Sequence, residues 1–452
     1  MKDAIIWMKY AENSIRLNCI VDAPRVRPYN CSTLRKDGPS VDSYSLCGGV
    51  VMTPQGIEKT GSVDVRGNHI ASISKPVQKR VDLKGMSMVY PALINIHDHL
   101  RGNYLPRIGP KPGSFYLNWA PWDNDLKSSV TYAERSNLSV ENLYFLSAYK
   151  NLFSGVTTVN DHFPHELNDE LLPRLPIRAF REYCLAHECS SYDLKWGDGI
   201  EIEHERAKKN NWPFITHLEE GFDPEAQDGV ELLARMKRLD EYCVLIHCIG
   251  FTDQDIQRVA KAKVHISWCP ASNLFMFNVT CKIKKMLAAG INVSIGTDST
   301  HTGSVNLFAE MRTARESYRS MYGEDLSAKT LVDMVTVNPA KAFRMSDRLG
   351  SLEAGKLADI LVLKARVDDP YENLASASMT DIELLIMEGK PLYGEERFLD
   401  LLGGKLPSDY RMITSGGRRL FVIGDPAALY AEVRRKTGVR KVLDYLPFDL
   451  DV

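Results

Sequence analysis

Two histidines with one residue between them close an apolar run in the first quarter of the chain. The run extends from Val89 to Ile96, and His97 and His99 follow it, separated by Asp98. In a β-strand, residues two apart point to the same side, so both imidazoles would project from one end of one strand. Such a pair could bind a metal ion or move a proton, since imidazole does both near neutral pH. Two unrelated surface histidines are the alternative.

Composition is typical of a soluble globular protein of two or three domains. The chain has 452 residues, 44% of them hydrophobic and 25% charged, with a formal net charge of -2. The 56 basic residues balance 58 acidic ones, so no basic field predicts a nucleic-acid partner. No apolar run reaches membrane-spanning length, and the first residues lack the apolar segment of a signal peptide. The nine cysteines form no C-x-x-C pair, which indicates reduced thiols in a cytoplasmic protein.

Strand-like and helical patterns alternate from Met88 to about Met345. Short β-branched runs such as 156–162 and 243–247 stand among helical segments such as 141–153 and 252–260. Such alternation over about 250 residues predicts a parallel α/β fold, and a distorted (β/α)8 barrel fits the length. Patterns of short strands precede it and return after it. We therefore predict an N-terminal extension at 1–47, a composite β-sandwich from 48–87 and 350–395, a barrel at 88–349, and a C-terminal tail with one helix at 396–452.

Metal-binding side chains end four of the predicted strands. Besides His97 and His99 they are His217, His247 and Asp298. Each has another interpretation when taken alone: a histidine at a strand end is commonly an ordinary polar residue, and Asp298 could cap the next helix. In a (β/α) barrel, however, the carboxyl ends of all strands meet at one face, where catalysis occurs. Three histidines, a carboxylate and a fifth group together predict a metal centre with a position open for water.

The motifs around these residues resemble those of the amidohydrolase superfamily, in its branch of cytosine and guanine deaminases and chlorohydrolases. The matching segments keep the order of that family: HDH at 97–99, HLEE at 217–220, His247, CPASN at 269–273 and GTD at 296–298. The flanking segments 61–73 and 349–360 resemble strands of that family's small β-sandwich. The resemblance covers about residues 48–393. It implies a distorted barrel, a composite β-sandwich and a single divalent metal ion.

The resemblance also implies roles for the site residues. Zinc would be the metal, with iron or manganese as alternatives, and its ligands would be His97, His99, His217 and Asp298. His247 would orient the attacking water by a hydrogen bond, and Asp298 would carry the water's proton to the leaving group. In deaminases of this branch the glutamate of H-x-x-E protonates a ring nitrogen beside the attacked carbon, and here it is Glu220. A surface carboxylate in a pair of adjacent glutamates is the alternative for this residue.

The substrate pocket is only partly predicted. The segment 105–122 follows the first ligand pair, is rich in aromatic residues and prolines, and shows little sign of a helix. We predict a lid or side wall, whose rings either stack on a planar substrate or pack against the barrel rim. The fourth barrel strand is not recognised, and it is either missing or hidden within 190–200. Candidate substrate contacts are His162, Trp119, Trp122, Asn273 and His301.

The predicted function is a mononuclear metal-dependent hydrolase that deaminates a small nitrogen heterocycle with metal-activated water. Hydrolysis of a ring amide, or of another C–N or C–halogen bond, is the alternative on the same site. A catalytically silent barrel that serves as a binding module is the second alternative. We expect a small-molecule substrate, a cytoplasmic location and a homo-oligomer, with no nucleic-acid or membrane partner.

Overall fold

The computed structural model describes residues 43–73 and 79–448. The predicted N-terminal extension lies outside the described residues as far as residue 42. The described chain forms eighteen strands: β1 (Ser43–Thr53), β2 (Gly56–Arg66), β3 (His69–Ile73), β4 (Lys79–Asp82), β5 (Ser87–Pro91), β6 (Leu93–Asp98), β7 (Val156–Asp161), β8 (Arg178–Phe180), β9 (Cys184–Glu188), β10 (Phe214–Leu218), β11 (Cys243–His247), β12 (His265–Trp268), β13 (Asn292–Ile295), β14 (Ile360–Lys364), β15 (Ile382–Met387), β16 (Lys390–Glu395), β17 (Tyr410–Ser415) and β18 (Arg418–Ile423).

The same residues form fourteen α-helices, several of which begin at a side-chain cap. They are α1 (Trp119–Ser128), α2 (Val130–Arg135), α3 (Val140–Leu152), α4 (His165–Asn168), α5 (Ile200–Asn210), α6 (Gly229–Arg235), α7 (Asp253–Lys261), α8 (Pro270–Phe277), α9 (Ile283–Ala288), α10 (Leu307–Tyr322), α11 (Ala328–Asp333), α12 (Val337–Ala342), α13 (Pro370–Ala375) and α14 (Pro426–Thr437). At α7 the side chains of Thr252 and Asp255 form a capping box, which confirms the capped helix predicted there.

Eight of the strands are parallel and form two sheets. The first has the order β13-β12-β11-β10-β9, and the second has the order β6-β7-β8. Alternate residues from both sheets, among them Ile94, Ile215 and Ile246, belong to one buried apolar cluster. A helix follows most of these strands before the next one begins. The predicted α/β class is therefore confirmed.

The two parallel sheets approach each other near the carboxyl ends of their strands. On one side the backbone N–H of Asp298 donates to the carbonyl of His97 at 3.1 Å. This approach needs glycine at position 296, because a Cβ on Gly296 would lie 2.8 Å from the Cβ of His97. On the other side Nε2 of His162, just after β7, lies 3.1 Å from the carbonyl of Ala186 in β9. Strand ends from both sheets therefore share one space.

The fourth parallel strand lies outside the segment where the sequence predicted it. β8 has three residues, and β9 follows after residues 181–183 with no helix between them. The segment 190–200 contains turns and no strand, so that prediction is wrong. The sequence hid β9 because three residues without a glycine or proline separate it from β8, so no turn signal marks where one strand ends and the next begins.

A sheet of ten strands joins the two ends of the described chain. Its order is β17-β18-β16-β15-β14-β5-β1-β2-β3, with β4 paired to β1. β5, which precedes the parallel strands, pairs antiparallel with β14, which follows them. β17 and β18 were not predicted, and they form a hairpin at Gly416 and Gly417, whose φ values of 54° and 77° favour glycine. The helix predicted at 425–435 is α14.

The last described segment packs against the part of the chain that carries the first histidine pair. The hydroxyl of Tyr149 in α3 donates to the carbonyl of Ile423 at 3.0 Å. The hydroxyl of Tyr445 donates to the carbonyl of Asn103, four residues after His99, also at 3.0 Å. The C-terminal segment therefore packs against α3 and against the segment that follows His99, and it supports both. Among the described residues, no helix combines the length and apolarity needed to cross a bilayer.

Candidate active site

Each predicted ligand or catalytic residue lies at or just beyond the carboxyl end of a parallel strand. His97 belongs to β6, His217 to β10, and His247 is the last residue of β11, while Asp298 follows β13. The backbone at His247 and Asp298 has φ values of 67° and 54°. Residues other than glycine adopt this left-handed region at an energetic cost, and such strain clusters at functional sites. The strand ends are therefore held in an unusual conformation where the site forms.

The candidate ligand atoms converge on one centre. One ring nitrogen from each of four histidines lies within 4.8 Å of the others: His97, His99, His162 and His217. A second group within the same limit joins His97 to His247 and Asp298. Nε2 of His97 and Nε2 of His99 each lie 3.9 Å from Oδ1 of Asp298. The structure thus brings all four predicted ligands together, with His247 beside them.

The histidines present lone pairs to this centre. His97 is fully buried, and neither of its ring nitrogens has a hydrogen-bond partner among the described residues. Nδ1 of His99 lies 3.1 Å from the carbonyl of His162, and Nδ1 of His217 lies 2.7 Å from that of His187. Such carbonyls hold the proton on Nδ1 and leave Nε2 free to bind a metal. Burial and the neighbouring imidazoles lower the pKa of His97 and His217 well below the usual value, so both are neutral at pH 7.

Asp298 supplies the negative charge of the centre. Hydroxyls of Ser272 and Thr302 donate to its Oδ2 at 2.7 and 3.1 Å, and the N–H of Ser299 donates to its Oδ1 at 2.5 Å. Burial alone would raise the pKa of this carboxyl, but nearby imidazoles and these hydrogen bonds keep the pKa below its usual value. Three imidazoles and one carboxylate form a donor set that zinc prefers. The residues present therefore fit one divalent metal ion.

Glu220 and His247 form a pair beside this centre. Oε1 of Glu220 lies 3.6 Å from Nε2 of His247, and both side chains are buried. Nδ1 of His247 donates to Oδ1 of Asn273 at 2.8 Å, which leaves Nε2 as an acceptor. Burial, and then the charge of Asp298, raises the pKa of Glu220 well above the usual value and so favours the protonated acid. Its burial excludes the alternative of a surface carboxylate.

Comparison with known proteins agrees with this arrangement. Residues 203–392 match the model of the amidohydrolase family. A 5-methylthioadenosine/S-adenosylhomocysteine deaminase of Moorella thermoacetica is 34% identical over 183 residues, which are 38% of this chain and 43% of that protein. A 5'-deoxyadenosine deaminase of Methanosarcina mazei is 26% identical over 404 residues, which are 76% of this chain and 90% of that protein. Over these segments, which for the family model are less than half of the chain, this protein is similar to the amidohydrolase family.

A solved structure of similar fold extends the comparison to most of the chain. An adenosine deaminase from Xanthomonas campestris with bound zinc superposes with a TM-score of 0.66 at 19% identity. The superposition covers 87% of this chain and 98% of that one. The chain therefore has a TIM-barrel-like α/β fold. The resemblance to amidohydrolases predicted from its motifs agrees with the family match over residues 203–392. The match to the Moorella deaminase, in contrast, spans less than half of that relative's length.

The predicted lid contains the start of a helix. α1 begins at Trp119, because the side chain of Asn118 accepts the N–H of Ala120 at 2.9 Å and caps the helix. The expectation of little helix in 105–122 is wrong for the end of that segment. The indole N–H of Trp119 donates to Oε2 of Glu188 at 2.7 Å, whereas that of Trp122 donates to a carbonyl of the lid itself, at 2.9 Å. Trp119 thus contacts the end of β9, and Trp122 stabilises the conformation of the lid.

The other predicted substrate contacts are buried around the centre and have protein partners. The ring of His162 lies 4.6 Å from that of His217, and Asn273 holds His247. Nε2 of His301 lies 3.0 Å from the guanidinium of Arg135. Nδ1 of His162 and Nδ1 of His301 have no hydrogen-bond partner among the described residues. These three side chains therefore lie around the candidate ligands and form part of the wall of the site.

Three further residues of the site were not predicted from the sequence. Lys150 in α3 is fully buried and donates to Asp98 at 3.0 Å. Glu188 ends β9, and the ring of Trp196 lies 4.6 Å from that of His187. A lysine within a largely apolar helix was a signal for the first. Glu188 lies at the end of β9, a strand that the sequence did not predict.

Proposed function

We propose that this protein is a mononuclear metal-dependent deaminase of a small nitrogen heterocycle. One observation supports it above others: Glu220 is a buried acid 3.6 Å from His247 and close to the candidate ligands. Hydrolytic deamination of an aromatic ring requires an acid that protonates the ring nitrogen beside the attacked carbon. The relatives named above are deaminases of adenosine derivatives, which supports a substrate of this chemical class.

We infer that one divalent metal ion is held by His97, His99, His217 and Asp298. Zinc suits these donors, and iron or manganese are the alternatives. When bound there, such an ion lowers the pKa of a water molecule from about 16 to about 7 and so supplies hydroxide at neutral pH. The neutral imidazoles of His97 and His217 and the anionic Asp298 are already in the protonation states that metal binding requires.

The side chains around the reacting carbon divide the proton transfers among them. Nε2 of His247 accepts a hydrogen bond from the attacking water and orients it, because Asn273 holds the proton on Nδ1. Asp298 accepts the water's proton as the oxygen adds to the ring carbon, and Glu220 gives its proton to the adjacent ring nitrogen. The exocyclic C–N bond then breaks as the ring carbon forms its carbonyl. Ammonia leaves with the proton that Asp298 returns, and the proton of the former hydroxyl restores the acid form of Glu220. The pKa directions of the two carboxyls match these roles, one anionic and one protonated.

We infer that the two parallel sheets close into a distorted (β/α)8 barrel over residues 88–349. The backbone and side-chain contacts between β6 and the segment after β13, and between β9 and the segment after β7, support this closure. We assign the part of the ten-stranded sheet that residues 48–87 and 350–395 form to a composite β-sandwich, which β17 and β18 extend at one edge. The pairing of β5 with β14 supports the composite origin. The tail at 396–452 then carries β17, β18 and α14 against this sheet and α3.

We also expect a cytoplasmic homo-oligomer that acts on a small molecule. All seven cysteines among the described residues are free, as in a reducing compartment. Light scattering of the purified protein would measure the oligomeric state. A monomer at micromolar concentration would contradict this expectation.

Metal analysis and an ammonia assay test the proposed function. We expect about one equivalent of zinc, iron or manganese per chain, and ammonia release from at least one member of a panel of aminopurines, aminopyrimidines and aminotriazines. Less than about half an equivalent after expression in metal-supplemented medium would favour the silent binding module. Full metal content with halide release or amide hydrolysis, and no ammonia, would favour the alternative hydrolase.

A further inference from the structure

A bulge in β9 changes the direction of the side chain at its end. β9 and β10 pair in parallel, with Cys184 opposite Phe214 and Leu185 opposite Ile215. The next pair is Glu188 opposite His217, so β9 advances three residues while β10 advances two. Paired residues of neighbouring parallel strands point to the same face, and an extra residue in one strand re-aims the side chains beyond it. The bulge therefore turns Glu188 to the face of the candidate ligand His217.

The carboxylate of Glu188 is buried, and only one of its two oxygens accepts a hydrogen bond from the described residues. The side chain is fully buried, and its Oε2 accepts the indole N–H of Trp119 at 2.7 Å. Oε1 has no hydrogen-bond partner among the described residues. The hydroxyl of Ser190 accepts the N–H of Tyr192 at 3.0 Å and forms no hydrogen bond with Oε1. This hydroxyl lies near the carboxylate of Glu188, where it opposes the rise in pKa that burial causes. A buried acceptor without a partner is costly, so a donor supplied by a ligand would stabilise this site.

Aromatic rings line the space beside this oxygen. The ring of His187 lies 5.3 Å from that of His217, and it contacts the rings of Trp119 at 4.8 Å and Trp196 at 4.6 Å. The backbone of Asn118 forms a bridge with Gly221, which seats the start of α1 next to Glu220. Flat apolar walls with one polar group at the edge are typical of pockets for planar ligands. Glu188 is such a polar group, on the strand next to His217.

We propose that Oε1 of Glu188 accepts a hydrogen bond from an N–H group on the substrate edge that is not attacked. This role rests on the deaminase function proposed above and specifies its substrate class: planar heterocycles with a second amino or ring N–H donor beside the one that leaves. A heterocycle without that donor leaves Oε1 buried and unpaired, and sites that require a polar partner discriminate strongly against ligands that lack it. Glu188 is thus a specificity-determining residue.

The variant Glu188→Gln tests this role with almost no change of shape. The indole N–H of Trp119 can only donate, so it retains the amide oxygen of the new side chain. The amide NH2 then faces the pocket, where it opposes a substrate donor. Glu203→Gln in α5 is the matched control, because Glu203 is also buried but bonds to Arg206 and to the backbone N–H of Asp198. The control therefore neutralises a buried glutamate without touching the pocket.

Two pairs of probes share one exocyclic amino group and differ only in the second donor: 9-methyl-2,6-diaminopurine against 9-methyladenine, and 2,4-diamino-1,3,5-triazine against 2-amino-1,3,5-triazine. We expect metal-loaded wild type and Glu203→Gln to prefer the richer donor in at least one pair by about 10-fold or more in kcat/KM, and Glu188→Gln to lose that preference. Calorimetric titration of the same metal-loaded proteins repeats the comparison for binding, without turnover.

The possible results separate this role from the deaminase function. No preference in wild type in either pair, or an equal preference in wild type and Glu188→Gln, would overturn the role of Glu188. Loss of the preference in Glu203→Gln as well would also overturn it, because the effect would then follow from any buried glutamate. If calorimetry shows the preference and its loss in Glu188→Gln but no probe releases ammonia, Glu188 binds the donor as proposed and the deaminase function is wrong.

Discussion

The ammonium of Lys150 lies 3.0 Å from Oδ2 of Asp98, and both side chains are almost completely buried. The same Nζ donates to the hydroxyl of Thr297 at 3.0 Å and to the backbone carbonyl of Asp298 at 3.1 Å. Asp98 stands between the two histidines that end β6. This one ion pair therefore links the two strand ends that carry three of the four candidate ligands, and it holds them at a fixed separation.

The variant Lys150→Met should destabilise the protein by about 3–5 kcal/mol, because it leaves the carboxylate of Asp98 buried without a cation. The double variant Lys150→Met, Asp98→Asn removes that charge and should recover part of the loss. Urea unfolding at equal metal content measures the free energy of unfolding of each protein. A single variant as stable as wild type would show that the ion pair does not hold the strand ends.

The variants His97→Ala and His217→Ala should each lose metal and activity together, because each removes one of four ligands. Elemental analysis after size exclusion gives the metal content, and ammonia release gives the activity. His165→Ala is the control, since His165 lies in α4 and its ring nitrogens contact Asp169 and the carbonyl of Tyr183. Full metal content in His97→Ala or His217→Ala would mean that the ligand set is different.

The variant Asp298→Asn should lose about 100-fold or more in turnover while it keeps most of its metal. The amide oxygen of Asn can still bind a metal, but Asn cannot accept a proton from water or return one to ammonia. Parallel measurements of metal content and kcat separate the two effects. Turnover within a few-fold of wild type would transfer the role of the base to another residue, with His247 as the first to test.

The variant Glu220→Gln distinguishes deamination from hydrolysis of an amide. It should keep its metal, and in a deaminase it should lose about 100-fold or more in turnover, because the ring nitrogen no longer receives a proton. An amide hydrolase would lose much less. Glu219→Gln is a control at the next position, where Oε1 accepts the N–H of Val230 at 3.1 Å. Near-normal ammonia release by Glu220→Gln would contradict the proposed mechanism.

Glu310 in α10 should make the stability of the protein depend on pH in a known direction. It is fully buried, its Oε1 accepts the N–H of Ala271 at 2.9 Å, and burial raises its pKa to about 7 from the usual 4.5. Between these values the folded protein keeps a proton that the unfolded chain has released. The contribution of this group to the free energy of unfolding therefore falls as pH rises through this window.

Glu310→Gln removes that contribution, since Gln does not titrate. The Tm of wild type should therefore fall relative to that of the variant as pH rises from about 5 to about 7, and the difference should be constant above that. Thermal unfolding of both proteins in one series of buffers measures it. A difference in Tm that does not change with pH would show that Glu310 is ionised in the folded state.

The candidate ligands could be predicted because each depends on a short local pattern. Alternation along a strand puts His97 and His99 on one side, and a polar residue after an apolar strand marks His217, His247 and Asp298. Parallel strands bring such ends to one face whatever the details of packing. The α/β class followed from the alternation of strands and helices, whereas the family resemblance rested on the motifs.

Glu188 and Lys150 depend on contacts between segments far apart in the chain. Glu188 faces the pocket because β9 has one more residue than β10 over the same length, and that mismatch exists only after the two strands have paired. A lysine in a helix ordinarily reaches solvent, and Lys150 is buried because Asp98 and the carbonyl of Asp298 surround its ammonium. Short-range sequence patterns indicate which face of a strand or helix a residue favours. The register between strands and the burial of charged side chains depend on the partners that folding brings together.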